Sequence, residues 1–244
     1  MNKLLKKPMI VLILVLMLGY VIITCSGKIS SQLVKLLPEI FQTDFYLKNI
    51  SFKFLFVLFS IVTMLLIPTM KLSDFGLKLP KRINYFKLIW QTVALTLGGG
   101  IVYGLLFMGL LRNLFGDTNE MGFPDSGSFL KIIIVVWLWS SICEEIFNRG
   151  LIQSLLNIFK KYKFCKLTLS VWISGIIFGA MHFSVFKFSS SIFFVLFIVF
   201  NATTIGVLAA YYREKSESVY PAIMVHILGN VAGSLPLLIK AIFT

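Results

Sequence analysis

The sequence predicts an all-α, polytopic membrane bundle of about seven to eight transmembrane helices. The chain of 244 residues is 58% apolar and only 14% charged, whereas soluble domains are about 45–50% apolar and about 25% charged. Its apolar residues also fall into runs of about 20, which is the length that a helix needs to cross about 30 Å of hydrocarbon. Lys and Arg collect between these runs. A water-soluble globule is therefore excluded.

Seven apolar runs are bounded by charges or by Gly, Pro and Asn. They are Pro8 to Cys25, Phe54 to Met70, Leu88 to Leu111, Ile132 to Phe147, Leu167 to Phe186, Ser191 to Tyr212 and Val219 to Phe243. The fourth run is short, but Leu151 to Phe159 continues its helical periodicity. This continuation predicts one long helix from about Leu130 to Phe159.

The charges between the runs predict an orientation. With 23 Lys and Arg against 10 Asp and Glu, the net charge is +13. Alternate connections carry almost twice as many bases as the others, which the positive-inside rule assigns to the cytoplasm. The N-terminus is then cytoplasmic, Lys71 to Lys87 is the main cytoplasmic linker, and Lys28, Lys35, Lys48 and Lys53 belong to the first external connection. The bases are thus topology signals with some affinity for anionic lipid, and no nucleic-acid partner is expected.

Few ionisable residues fall inside the runs, and they cluster. Glu144, Glu145 and Arg149 lie on the fourth predicted helix, and the two histidines of the chain, His182 and His226, lie on the fifth and seventh. Ionisable groups at membrane depth mark functional sites by default, because they cost several kcal/mol unless they face a partner or a cavity. Cys25, Cys143 and Cys165 form neither a paired set nor a thiolate metal motif.

Helix geometry sorts these side chains into roles. Glu145 and Arg149 are four residues apart, which favours an ion pair, while Glu144 points about 100° away. His226 and Asn230 are likewise four apart. These residues can form a hydrolytic site. Glu144 can take a proton from water and His182 can orient that water, while His226 and Asn230 can donate hydrogen bonds to an oxyanion.

Each feature also has an ordinary structural explanation. The Glu-Glu-Arg group alone also fits an interfacial ion-pair anchor, a single intramembrane histidine is often only hydrogen-bonded between helices, and Asn230 alone fits interhelical contact. Phe178 is one of 24 phenylalanines, and periodicity alone makes it a packing residue. The coincidence of these residues in one chain favours the site.

The order of the motifs resembles a known family. Glu-Glu-x-x-x-Arg at 144–149, Phe-x-x-x-His at 178–182 and His-x-x-x-Asn at 226–230, on successive hydrophobic helices, resemble the CPBP family of intramembrane proteases, also called the Abi family. That family includes CAAX prenyl endopeptidases of the Rce1 type and bacterial members linked to bacteriocin immunity. The likeness covers about 132–230.

The resemblance implies the roles of the residues. Glu144 and His182 would activate the attacking water, His226 and Asn230 would stabilise the oxyanion, and Glu145, Arg149 and Phe178 would support them. It further implies a helical bundle around a polar cavity open to the cytoplasmic side. Residues 131–244 would be the protease core and 1–130 three N-terminal spans, together forming one integrated membrane domain.

If all the helices were straight, the two histidines of this site would lie at different depths in the membrane. Counted along the predicted spans, His226 lies roughly 10 Å and His182 roughly 22 Å from the cytoplasmic end. We therefore predict either a tilted, kinked or short fifth helix, with Gly175 and Gly179 allowing close approach or bending there, or a different start for that helix.

No cofactor is favoured, although zinc is the alternative. Glu144, His182 and His226 match the His₂Glu ligand set of catalytic zinc sites. However, the His-Glu-x-x-His spacing of zinc proteases is absent, and the periodicity assigns Glu145, the remaining acid, to Arg149.

The function predicted is therefore an endopeptidase that cuts a membrane-associated peptide or protein, in a multi-pass protein of a bacterial plasma membrane. Processing of peptides or bacteriocin immunity is favoured over prenylated substrates.

The alternatives are a non-catalytic immunity or partner-binding protein and a small proton-coupled transporter. The transporter is less favoured, because the sequence shows no inverted repeat. A cysteine protease based on Cys143 is disfavoured, because no activating partner is specified. The oligomeric state is left open.

Overall fold

The fold is almost entirely helical in the computed structural model, which describes residues 7–120 and 129–235. The helices are α1 (Pro8–Lys35), α2 (Glu39–Gln42), α3 (Phe45–Leu66), α4 (Tyr85–Leu114), α5 (129–161), α6 (Leu169–Lys187), α7 (Ile192–Ser216) and α8 (Tyr220–Gly233). Between α5 and α6, the two-residue strands β1 (Lys163–Phe164) and β2 (Leu167–Thr168) pair as an antiparallel hairpin. The all-helical fold class is confirmed.

Four of the helices begin at a side chain that caps the first turn. Asp44 accepts from the backbone N–H of the third residue after it at the start of α3, and Asn84, Thr168 and Ser191 do the same for α4, α6 and α7. Such caps satisfy backbone donors that have no partner inside the helix. The starts of these helices are thus fixed by polar residues just outside them.

Five of the described helices are long and apolar enough to cross a membrane, namely α1, α3, α4, α6 and α7. The predicted number of seven to eight is not confirmed. Helix α5 carries Glu144, Glu145 and Arg149 near its middle. Helix α8 is described to Gly233, and the part of the predicted span from 236 to Phe243 lies outside the described residues. Lys3, Lys6 and Lys240, which are among the bases counted for the orientation, also lie outside them.

The prediction for the first connection was wrong. Helix α1 continues ten residues past Cys25 to Lys35, and α3 begins at Phe45 rather than at Phe54. The four lysines assigned to an external loop therefore lie on helices. The predicted ends followed the last apolar residue, whereas the capping Asp44 sets the start of α3.

Helices α3 and α5 run side by side in the same direction. The Ser140 hydroxyl donates to Asn49 Oδ1 at 2.9 Å, and the Lys53 ammonium donates to Glu144 Oε1 at 2.5 Å. In each of these two bonds, the donor and acceptor residues are 91 positions apart along the chain. Since the offset is constant over one turn, the two helices are parallel and in register.

The predicted long fourth helix is confirmed as α5, which is helical from 129 to 161. It is π-helical over Ile132–Ser140 and Ile146–Ile152, with a regular α-helical segment at Ser141–Glu145 between them. π-Helical turns are rare in proteins, and those that occur are often found at functional sites. The Glu-Glu pair therefore sits where the helix changes its winding.

Helix α6 lies very close to α7 because two glycines of α6, Gly175 and Gly179, face α7. A Cβ atom on Gly175 would lie 2.4 Å from Val207 Cγ2, and one on Gly179 would lie 1.9 Å from Thr203 Oγ1. Side chains at these positions would push the helices apart, and small residues are the usual means of close packing in membranes. The expected close approach is confirmed.

Helix α6 is also short in its regular part. The α-helix ends at Met181 after 13 residues and continues as a tighter 3₁₀ segment, His182–Lys187. Together the two parts span 19 residues, about the length of the predicted run, so the tilted, kinked or short fifth helix stays a prediction. His182 stands at the point where the winding changes.

Candidate active site

Glu144 lies between a lysine and a histidine from two other helices. Its Oε1 is 2.5 Å from Lys53 Nζ on α3, and its Oε2 is 4.0 Å from His226 Nε2 on α8. The side chain keeps 13% of its surface exposed. Among the described residues, Glu144 therefore has a short ion pair at Oε1 and only the longer contact with His226 at Oε2, which we call its open oxygen.

Glu145 is enclosed completely. Its Oε2 lies 3.1 Å from Arg149 Nε one turn along α5, and both side chains are fully buried. The two groups lie at ion-pair distance without the alignment of a hydrogen bond. Arg149 also donates from Nη2 to the Gly206 carbonyl oxygen on α7 at 2.8 Å. The predicted Glu145–Arg149 pair is present and attaches α5 to α7.

His226 stands between the two glutamates. Its Nδ1 is 2.9 Å from Glu145 Oε1, while its Nε2 faces Glu144 Oε2. A carboxylate accepts hydrogen bonds and cannot donate them when ionised. Nδ1 is then the donor, and Glu145 fixes both the orientation and the tautomer of the ring. Periodicity assigned Glu145 to Arg149 alone, so this second contact was not predicted.

His182 is held by its own helix. Its Nδ1 lies 3.0 Å from the Phe178 carbonyl oxygen one turn earlier. Because a carbonyl oxygen only accepts, Nδ1 donates and the neutral ring keeps the lone pair of Nε2 as an acceptor. That atom suits the orientation of a water molecule better than donation to an anion.

Phe178 joins the two histidines. Its ring centroid lies 5.0 Å from that of His182 and 5.1 Å from that of His226, both in edge-to-face contacts. The guanidinium of Arg149 lies 4.5 Å from the same ring, within the range of a cation–π interaction. His182 therefore reaches the cluster through an aromatic spacer, and Phe178 has a definite position in it.

Asn230 lies one turn beyond His226 on α8. Its Nδ2 donates to the Ser141 hydroxyl on α5 at 3.0 Å. One amide N–H takes part in this bond, and the amide group has a second. Ser141 was not predicted as a partner, although it lies three residues before Glu144 on the same helix.

Lys53 is the main residue that the sequence analysis missed. It is 8% exposed, and it is the group closest to Glu144. A signal was available, since a lysine in an apolar helix needs a counter-charge, and Glu144 and Glu145 are the acids of the membrane core. That signal was lost when the span was drawn from Phe54.

The zinc alternative would require Glu144, His182 and His226 to converge on one point. Within the described ranges 7–120 and 129–235, no three His, Cys, Asp or Glu side chains are grouped closely enough to hold a metal ion. One oxygen of Glu144 also faces an ammonium group, which a second cation would have to displace. The preference for a reaction without a metal stays a prediction.

The geometry brings together a carboxylate with one open oxygen, two imidazoles of fixed orientation and an amide donor. These are the groups that general-base hydrolysis uses.

Comparison with known protein families finds a match for part of the chain. Residues 126–232 match the family model of the Rce1-like type II CAAX prenyl endopeptidases. This segment contains α5 to α7, α8 up to Ala232 and every predicted site residue, whereas Lys53 lies outside it. Neither a curated protein nor a solved structure gives a significant match to the chain.

Proposed function

We propose, from the Rce1-like domain of the CPBP family at residues 126–232, that this protein is an intramembrane endopeptidase with Glu144 as its general base. The observation that carries the proposal is the position of Glu144. It is a carboxylate in the helical bundle whose Oε2 lies 4.0 Å from His226 Nε2 and whose side chain keeps 13% of its surface exposed.

The first step of the proposed reaction is the activation of water. Glu144 Oε2 takes a proton from a water molecule that His182 Nε2 orients, and the hydroxide adds to the carbonyl carbon of the peptide bond. The carbonyl π electrons move to its oxygen, which becomes the oxyanion of a tetrahedral intermediate.

The second step is the collapse of that intermediate. As the carbon–nitrogen bond breaks, the proton held by Glu144 passes to the leaving amine, and the carboxylate is restored. His226 and Asn230 are the proposed oxyanion donors. Because Glu145 accepts from His226 Nδ1, Nε2 carries a proton only in the imidazolium form. The oxyanion role therefore requires His226 to be protonated.

Glu145, Arg149 and Phe178 support the reaction without taking part in it. Glu145 orients His226, Arg149 neutralises Glu145, and Phe178 sets the distance between the two imidazoles. Groups that are already oriented before the reaction need no reorganisation during it.

The proposed substrate is a membrane-associated peptide or protein. The helices around the site expose large apolar side chains, including Leu16, Tyr20 and Ile176, which suits contact with lipid. We propose a multi-pass protein of a bacterial plasma membrane with a cytoplasmic N-terminus and a role in peptide processing or bacteriocin immunity.

A comparison of cells tests this function and finds the substrate. Membrane proteomes and secreted peptides are compared between cells that express the wild type, Glu144→Gln or Cys143→Ser. Cys143 is buried beside Glu144 and is the matched control. We expect uncleaved precursors to accumulate with Glu144→Gln only. If a physiological effect such as peptide immunity survives Glu144→Gln and His182→Ala, a binding role explains that effect instead.

A further inference from the structure

A buried lysine from the N-terminal half of the chain completes the surroundings of Glu144. Lys53 lies on α3, outside the segment 126–232 that matches the protease family. Its Nζ is 2.5 Å from Glu144 Oε1 and lies over the rings of Phe52 and Phe56, at 5.3 and 5.6 Å from their centroids. The ammonium is thus enclosed by one carboxylate and two aromatic faces.

We propose that Lys53 is a positioning residue for the hydrolysis, because its ammonium holds Glu144 as an oriented, ionised base and supplies a fixed positive charge when the oxyanion forms. This inference rests on the proposed function of Glu144. It also assigns a part in the site to the N-terminal helices, which the family match does not cover.

Orientation is the first part of the argument. Lys53 occupies Oε1, so the open oxygen, Oε2, points toward His226. The parallel packing of α3 and α5 supports this position, because the bond between Asn49 and Ser140 one turn earlier keeps the same register. The carboxylate is therefore held by a contact that lies on the side away from the proposed water.

Charge is the second part. An isolated ion in an apolar interior is costly, so Lys53 and Glu144 stabilise each other's charged forms. When Glu144 takes up the proton of water, the carboxylate becomes neutral and a negative charge appears on the substrate oxygen. The total charge of the site is unchanged, and the lysine remains as a fixed cation that acts on the new anion across the carboxyl group of Glu144.

Several other charged groups face Glu144 and define what the lysine adds. His226 faces it from α8, and His182 interacts with it electrostatically from α6. Glu145 and Arg149 neighbour it on α5, where they neutralise each other. The imidazoles are cationic only when protonated, whereas an ammonium carries its charge throughout the neutral pH range.

The kinetic test uses the purified full-length protein in detergent micelles and a mixture of quenched fluorogenic peptides. Lys53→Met removes the charge at similar length, and Lys53→Arg keeps it. Lys48→Met is the matched control, since Lys48 is exposed on the same helix. We expect Lys53→Met to lower kcat/KM by about 100-fold. We also expect it to move the acidic limb of the pH profile up by about one pH unit, because the base loses its counter-charge.

Rescue separates this role from a purely structural one. Lys53→Arg should keep the acidic limb of the wild type and recover most of the activity. The proposal is overturned if Lys53→Met matches Lys48→Met in both rate and pH profile, or if Lys53→Arg shifts the limb as much as Lys53→Met.

A second measurement does not depend on activity. Thermal unfolding in micelles is compared for Lys53→Met, Glu144→Gln and the double variant. If the two groups are partners, the double variant should lose less in Tm than the sum of the single losses, because neither charge is then left alone. Additive losses would overturn the proposal.

The two experiments separate the two claims. If Glu144→Gln abolishes cleavage while Lys53→Met behaves as the control, the inference on Lys53 alone is wrong. If the wild type and Glu144→Gln cleave equally, the proposed function is wrong, and the unfolding measurements still decide whether the two side chains are coupled.

Discussion

Glu144 and Glu145 are neighbours in sequence, yet their surroundings differ in almost every respect. Glu145 has no exposed surface and lies between Arg149 and His226, both within the segment that matches the protease family. Glu144 is 13% exposed, keeps one oxygen open and takes its closest partner from α3. The two environments thus surround the same type of side chain at successive positions of one helix.

Under the proposed function, this difference in environment divides the work between two carboxylates. A glutamate whose two oxygens are both engaged by fixed partners has no oxygen left for a substrate or for water, so it serves as a structural and orienting group. A glutamate with one oxygen held and one open keeps both its orientation and its reactivity. If this contrast is correct, changes around Glu145 affect stability first, and changes around Glu144 affect the reaction first.

The largest effect on stability is expected from Arg149→Met. The substitution leaves the buried carboxylate of Glu145 without its cation and removes the bond to the Gly206 carbonyl. We expect a loss of about 3–5 kcal/mol in the free energy of unfolding, measured by denaturant titration in mixed micelles. Arg82→Met is the control, because Arg82 is exposed. Equal stability of the two variants would contradict the structural role of the Glu145 region.

A smaller effect is expected from Gly179→Ala, which tests how His182 is placed relative to Glu144. The added Cβ would meet Thr203 Oγ1 at 1.9 Å, so α6 must move away from α7 and carry His182 with it. We expect a loss of about 1–3 kcal/mol and a reduced kcat. Gly98→Ala is the control, since no heavy atom lies within 4 Å of its added Cβ. A stable Gly179→Ala variant with the kcat of the wild type would show that the spacing of α6 and α7 is not critical.

The smallest effect is expected at a third glutamate, which pairs with lysines in solvent. Glu217 follows α7 and accepts from Lys81 and Lys78. These bonds lower the pKa of the Glu217 carboxyl from 4.5 to about 2. A lowered pKa stabilises the fold above pH 4.5, and this contribution is lost as the pH falls toward 2.

Glu217→Gln should therefore lower Tm slightly at pH 7. The difference from the wild type should shrink as the pH approaches 2, and also in 1 M salt, which screens exposed charges. Tm measured against pH and salt checks this expectation. A large loss in Tm at pH 7 that persists in salt would mean that the exposed ion pair of Glu217 stabilises the fold as much as the buried pairs do. The contrast between buried and exposed glutamates would then be wrong.

The sequence was sufficient for features that depend on local pattern. Apolar runs predicted a helical membrane protein, the periodicity through Leu151 to Phe159 predicted the length of α5, and the spacing of four predicted the Glu145–Arg149 pair. The depth conflict between His182 and His226 predicted a tilted, kinked or short fifth helix; the winding changes at His182, while the helix keeps a length of 19 residues.

What the sequence analysis missed depends on contacts between distant helices. Lys53 and Glu144 are 91 residues apart, and periodicity shows which face a residue occupies but not which helix it meets. The same limit hid the bond between Glu145 and His226. The start of α3 was missed because Asp44 caps the helix well before its first long apolar run.

The most direct test of the central claim measures cleavage and stability together for purified Glu144→Gln. The variant keeps the size of the side chain and loses the base. We predict that kcat/KM on the fluorogenic peptide mixture falls by about 10³-fold, while the variant remains folded in micelles and Cys143→Ser keeps the rate of the wild type. Cleavage by folded Glu144→Gln at the rate of the wild type would contradict the assignment of Glu144 as the catalytic base.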